Sequence, residues 1–238
     1  MFEDIAPGIQ LVGRFGRVKA GIWFLRHGTE CAIVEMPDIV DEDDIQTPWD
    51  TLHEYILRKN MYLKFITATH EHVDHFYSVS DFHGTFPEVP ILVHRDFFLD
   101  PNDVEVQTTY KPADLEEGTL SLEDPSVEVE DIPLYCFDGE VFETHLSGEP
   151  LYLVHAPKHS LSDTLVVFRG CMITADWWLG SGDPNYNQVP VGQIHNSINT
   201  ILRLCKGKNY VIHAIFSTHA NEFRRNVNLE ELMEQTRP

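Results

Sequence analysis

Seven consecutive residues, Thr69-His70-Glu71-His72-Val73-Asp74-His75, carry three imidazoles and two carboxylates directly after the apolar run Leu63-Lys64-Phe65-Ile66-Thr67-Ala68. This stretch constrains the fold more than any other. The run reads as a buried strand, and a strand that ends in so many metal donors must end at a cleft. If the chain turns after His70, His70 and His72 can converge on one ion while Asp74 and His75 point to a neighbouring one. Neutral imidazole and carboxylate suit zinc, iron or manganese. A lone histidine in such a place reads as a surface residue, whereas H-x-H-x-D-H after a strand reads as a metal motif.

The pattern around it alternates strands and helices. Ile9–Val12, Gly21–Arg26 and Cys31–Glu35 read as short strands, the last two joined by a hairpin turn at residues 26–30. Thr47-Pro48 opens a helix running to about Asn60, with Thr47 as N-cap and Pro48 at the first helical position. The motif strand follows, then a helix over 76–86 and a strand over 90–94, at whose end His94 reads as a surface histidine. Between Asp114 and Asp131 eight of eighteen residues are acidic, and a solvated connection is expected there. The second half is again strand-rich at 141–146, 151–155, 165–168 and 172–175, then helical at 193–205, with a last strand over 210–216 and a helix over 229–235. Two successive strand-then-helix halves, joined near 114–133, predict an α/β fold of the four-layer αββα sandwich kind. At 238 residues the whole chain, 1–238, is expected to be a single domain.

Three further polar residues stand at strand ends in the second half: His159 after Leu151-Tyr152-Leu153-Val154-His155-Ala156-Pro157-Lys158, Asp176 after Met172-Ile173-Thr174-Ala175, and His219 after Ile215-Phe216-Ser217-Thr218. Together with the first motif, their order and spacing resemble the signature of the metallo-β-lactamase-fold superfamily over roughly Ile9 to Phe223. The resemblance implies one ion held by His70, His72 and His159, a second held by Asp74, His75 and His219, and Asp176 bridging the two. It implies two divalent ions, zinc first, with iron or manganese compatible. It further implies hydrolysis of an ester, lactone or thioester by a metal-bridging hydroxide, with Asp74 orienting the nucleophile and passing on its proton. The alternatives on this scaffold are an iron-dependent oxygenase or dioxygenase, or a non-catalytic metal-binding protein.

The sequence departs from the pattern in several places. Lys158 stands where glycine is usual, Phe76-Tyr77 replaces Gly-Gly, Glu35-Met36-Pro37 replaces Asp-Thr-Gly, and Ala220 follows the last histidine. No zinc-binding cysteine occupies the bridging position, which argues against an antibiotic-degrading role. The tyrosine that lactonases carry after the bridging aspartate is replaced by Trp177-Trp178-Leu179. Trp177 and Trp178, with Tyr186 in the Gly- and Pro-rich loop beyond, are expected to wall a substrate pocket.

Composition narrows the partners. With 38 acidic against 17 basic residues the net charge is −21, which repels nucleic acid and anionic membranes and leaves a small-molecule substrate. The acidic start Met1-Phe2-Glu3-Asp4 lacks the basic flank of a signal peptide. The four cysteines, far apart and without a C-x-x-C, read as buried apolar residues. A cytoplasmic protein is the expectation, and oligomeric state is not indicated.

Overall fold

The computed structural model describes residues 2–39, 47–99, 110–114, 132–180, 187–219 and 223–238. Among these, fourteen strands form two mixed sheets. The first contains β1 (Glu3–Ala6), β2 (Ile9–Phe15), β3 (Ala20–His27), β4 (Glu30–Val34), β5 (Tyr62–Thr67), β6 (Ile91–His94), β7 (Lys111–Asp114) and β8 (Pro133–Phe137), in the order β1-β2-β3-β4-β5-β6-β8-β7. The second contains β9 (Val141–Leu146), β10 (Glu149–His155), β11 (Thr164–Phe168), β12 (Cys171–Ile173), β13 (Ala214–Phe216) and β14 (Phe223–Arg225), in the order β14-β13-β12-β11-β10-β9. The chain changes sheet between Phe137 and Val141. The helices are α1 (Pro48–Lys59), α2 (Val73–Phe76), α3 (Val79–Thr85), α4 (Val191–Lys208) and α5 (Leu229–Thr236).

The layering follows from the period of two along each strand. In β3, Ile22 and Phe24 face α1 and α3 in a core with Leu52, Ile56, Val79 and Phe82, while Trp23 and Leu25 face the other sheet. In β10, Leu151 and Leu153 meet that same inter-sheet core, and Tyr152 and Val154 turn to α4 and α5, against Ile194, Ile198, Ile201, Leu232 and Met233. Three apolar cores separate four layers, helices outside and sheets inside, so the fold is an αββα sandwich. Trp23 and Phe216 stack across the inter-sheet core with centroids 5.7 Å apart. Burying side chains of this size contributes roughly 1.5–3 kcal/mol each.

Local signals place the elements. Thr47 Oγ1 accepts from Asp50 N–H at the start of α1, and Asn60 closes it in the left-handed region, as expected of an N-cap and a C-cap. Two expectations are corrected in extent. The helix predicted over 76–86 is two short helices, α2 and α3, and the strand predicted over 210–216 is confined to Ala214–Phe216. Asn209 ends α4 in the left-handed region, and the segment between runs outside any ladder with Val211 exposed. The cysteines are free thiols, and Cys31, Cys136 and Cys171 are buried. Among the described residues no helix is long and apolar enough to cross a membrane.

Candidate metal centre

Strands β4, β5 and β6 are mutually parallel, as are β12 and β13, and polar residues gather at their C-terminal ends, where open α/β sheets hold ligands. The segment after β5 supplies His70, His72, Asp74 and His75. The β10–β11 connection supplies His159, the turn after β12 supplies Asp176, and the turn after β13 supplies His219. All seven come together in two groups, one of His70, His72 and His159, the other of Asp74, His75, Asp176 and His219.

In the first group, His72 Nδ1 lies 3.0 Å from His70 Nε2 and 3.0 Å from His159 Nε2. In the second, His219 Nε2 lies 3.0 Å from His75 Nε2, 3.0 Å from Asp176 Oδ1 and 3.1 Å from Asp74 Oδ2. Asp176 faces both groups, Oδ1 toward His75 and His219, and Oδ2 toward His159 Nε2 at 3.5 Å. A tetrahedral ion bonded at about 2.0–2.1 Å spaces its donor atoms about 3.3 Å apart, close to these separations.

The ring orientations come from a second layer of contacts. His75 Nδ1–H donates to Glu35 Oε1 (3.0 Å), His70 Nδ1–H to Thr69 Oγ1 (3.1 Å), and His219 Nδ1–H to the Val18 carbonyl at the tip of the β2–β3 hairpin (3.1 Å). Thr69 in turn donates its hydroxyl (2.6 Å) and its N–H (3.2 Å) to Glu35. With each Nδ1 proton engaged outward, the Nε2 lone pairs of His70, His75 and His219 converge inward, the arrangement that fixes metal-ligating tautomers. Nitrogens 3.0 Å apart need a cation or a proton between them, because lone pairs aimed at one another repel. Asp176 Oδ1 is buried and makes no hydrogen bond of good geometry, although two imidazoles flank it. The residues therefore fit two divalent cations.

The electrostatics of the two groups differ. Burial, with the neighbouring imidazoles, lowers His70 well below the ordinary histidine range and lowers His72 too. In the second group burial opposes charge, but carboxylates outweigh it. Glu35 and Asp176 hold His75 well above the usual range, and Asp176 with Asp74 raises His219 to about 9. Burial likewise works against the charged forms of Asp176 and Asp74, yet the adjoining His75 and His219 leave both below the usual carboxylate range. His70 and His72 are thus biased toward the neutral form, whereas His75 and His219 are biased toward holding protons where a cation fits.

Two loops are braced against each other. Asp163 Oδ2 accepts backbone N–H groups from Lys158 (2.9 Å), His159 (2.6 Å) and Ser160 (3.0 Å), fixing the turn that presents His159. Glu71, buried within the first motif, accepts from Ser160 Oγ (3.3 Å) and from Ser162 Oγ. Glu35, Glu71 and Asp163 are carboxylates bracing the candidate site that the sequence pattern did not single out. Glu35 was visible only as a departure at the end of an early strand.

The two tryptophans expected to wall a substrate pocket are core residues. Trp177 has no exposed surface and Trp178 retains 7%, both inside the core beneath α4. Ala175 takes φ 45° in the turn that follows β12, and this turn delivers Asp176 to the cleft and the two rings to the core. Tyr186 and the rest of 181–186 lie outside the described residues. Exposed apolar side chains near the donors include Val73 and Tyr77, 61% and 62% exposed, on and just after the helix that carries Asp74 and His75, and Val18, 52% exposed, at the hairpin tip beside His219.

Neither a family model nor a curated protein matches the sequence. Solved structures do. The DIM-1 metallo-β-lactamase superposes with a TM-score of 0.66 at 11% identity, covering 99% of this chain and 96% of that one. A metallo-β-lactamase from Hirschia baltica gives 0.62 at 11% identity over 100% and 98%. A metallo-β-lactamase family protein from Thermus thermophilus gives 0.58 at 16% over 97% and 80%. The chain has the metallo-β-lactamase fold.

Proposed function

We propose that the protein is a dinuclear metal-dependent hydrolase of a small ester, lactone or thioester. The observation that carries this reading is Asp176, whose two carboxylate oxygens face different donor groups, as a residue shared by two ions must. The fold of the solved metallo-β-lactamases supports it. All seven donors are nitrogen or oxygen, which favours zinc, with iron or manganese compatible. When bound, such a pair lowers the pKa of a water and polarises a carbonyl oxygen.

The remaining work falls to this chain's own residues. Asp74 has a side chain 30% exposed, with Oδ2 on His219, which places a carboxylate at the mouth of the cleft. It can take the proton of the attacking water and pass it to the leaving oxygen or sulfur. Val73 and Tyr77 beside it form an apolar rim for the acyl or leaving-group portion.

Metal analysis of the purified protein, paired with a panel of lactone, thioester and aryl-ester substrates, tests this. Two ions per centre and turnover of at least one substrate class are expected, with Asp74→Ala and His72→Ala lowering kcat at least about 10³-fold while both variants stay folded. Unchanged turnover in either folded variant, or iron with substrate-dependent oxygen consumption, would overturn the proposal.

A further inference from the structure

Two polar residues near the candidate metal centre lie inside the protein. His94, expected at the surface, is 6% exposed because it stacks on His155 between the sheets, with ring centroids 3.4 Å apart, and packing accounts for it. Lys158 is 4% exposed, and packing does not account for it. An apolar side chain of the same length would fill the space without burying an ammonium, which needs polar partners once it leaves water.

Lys158 Nζ donates to the Trp177 carbonyl (2.7 Å) and lies over the Trp177 ring, 5.4 Å from its centroid. Its backbone is fixed as well. The N–H donates to Asp163 Oδ2 (2.9 Å), and the carbonyl accepts from Gln188 N–H (3.2 Å), just before α4. One residue thus joins the turn that presents His159, the turn that presents Asp176 and the approach to α4. The Asp176 turn closes on itself through Trp177 N–H to the Thr174 carbonyl (3.0 Å) and Thr174 Oγ1 to the Trp178 carbonyl (3.1 Å). The bond from Lys158 ties it across to the turn carrying a donor of the first group.

Asp176 needs such a tie more than the histidines do. His70, His75 and His219 are each oriented from behind by an Nδ1 partner. Among the described residues, the polar contacts of the Asp176 carboxylate are with imidazoles of the two groups, and Oδ1 has no hydrogen bond of good geometry. The division of its two oxygens between the groups must therefore be set by the backbone. That backbone leaves Ala175 at φ 45°, a conformation that persists only where its surroundings hold it.

We propose that Lys158 is a positioning residue for Asp176, holding the carbonyl of the next residue so that one carboxylate oxygen faces each ion. This rests on the two-ion centre of the proposed function and deepens it: because Asp176 is shared, losing the tie weakens both ions together.

The test compares the wild type with Lys158→Met, which keeps the length and removes the donor, and with Lys158→Arg, which restores a cationic donor. Each full chain is loaded with zinc chloride and titrated with a chelator, and amide hydrogen exchange over residues 174–178 is followed in the metal-free proteins. Lys158→Met is expected to stay folded, to exchange faster in that turn and to lose about 10–100-fold in affinity for both ions. Lys158→Arg is expected to recover part of both changes. Loosening of the His159 turn alone would weaken only the first ion, and that result, unchanged exchange, or equal affinities in wild type and Lys158→Met would overturn the proposal. A wild type that binds no zinc would overturn the two-ion centre along with it. Because the readouts are affinity and exchange, an absence of turnover counts against the hydrolytic reading and not against Lys158. If Lys158→Met does not fold, Lys158→Gln, which retains an uncharged donor, carries the same comparison.

Discussion

Glu35 adopts φ 78°, a region that non-glycine residues rarely occupy, and is fully buried. Strain of this kind persists only where the surroundings over-determine it, and here three hydrogen bonds do so. The conformation aims the carboxylate back at Thr69 and His75 instead of along the strand. In Glu35→Gln the amide nitrogen can face His75 Nδ1, and two donors cannot share that position. His75 is then driven to the tautomer with its proton on Nε2, and the lone pair aimed at the second ion is lost. Metal affinity at that group and turnover should both fall about 10–100-fold, while Glu35→Asp, which keeps an acceptor, recovers part of the loss. Equal metal affinity in the wild type and Glu35→Gln would remove Glu35 from the site. A sequence alone does not show this role, because an acidic residue closing an apolar strand looks like the strand's end.

At the scale of elements, the strands and helices whose signals are local were legible. The Thr47 cap, the apolar face of α4 and the alternation in β3 and β10 each sit within a few residues. Elements that owe their existence to pairing were not. Glu3–Ala6 is a strand because β2 lies beside it, and Phe223–Arg225 because β13 does. The clustering of the seven candidate donors was legible because all lie within a few residues of strand ends on one side of the sheets, whereas the destination of Trp177 and Trp178 depends on one positive-φ residue that composition does not reveal. The turn carrying His159 is a test case for such local organisation. It is held by one carboxylate receiving three N–H groups, so Asp163→Ala should free the turn and weaken the first ion about 10–100-fold with the second less affected. Competition with a zinc chelator, resolved into two phases, measures this; a loss confined to the second phase would contradict the assignment.

Across the whole molecule the two donor groups should respond to pH in different ways. His219, raised to about 9, is protonated below that value in the metal-free protein, so an ion entering its group must expel a proton. Lower pH strengthens the competitor, and affinity for the second ion falls by about tenfold per pH unit for each proton released. His70 and His72 are shifted the other way, so neither must release a proton to the first ion, whose affinity should fall less steeply than the second's between about pH 8 and about pH 6. Zinc titrations at those two values distinguish the phases, and a second-site affinity that is flat or rises on acidification would contradict the asymmetry.

Each donor group also draws on both sheets, and His75 and His219 are 144 residues apart in sequence. A nascent chain that has displayed only the first motif holds no complete set of ligands for either ion. The motif can gather a cation loosely while synthesis continues, but neither site closes until Asp176, His159 and His219 have emerged and the second sheet has docked on the first. On the proposed function, metal capture would be a late event in the life of each molecule, and a tightly held ion would mark a chain whose two halves have already met.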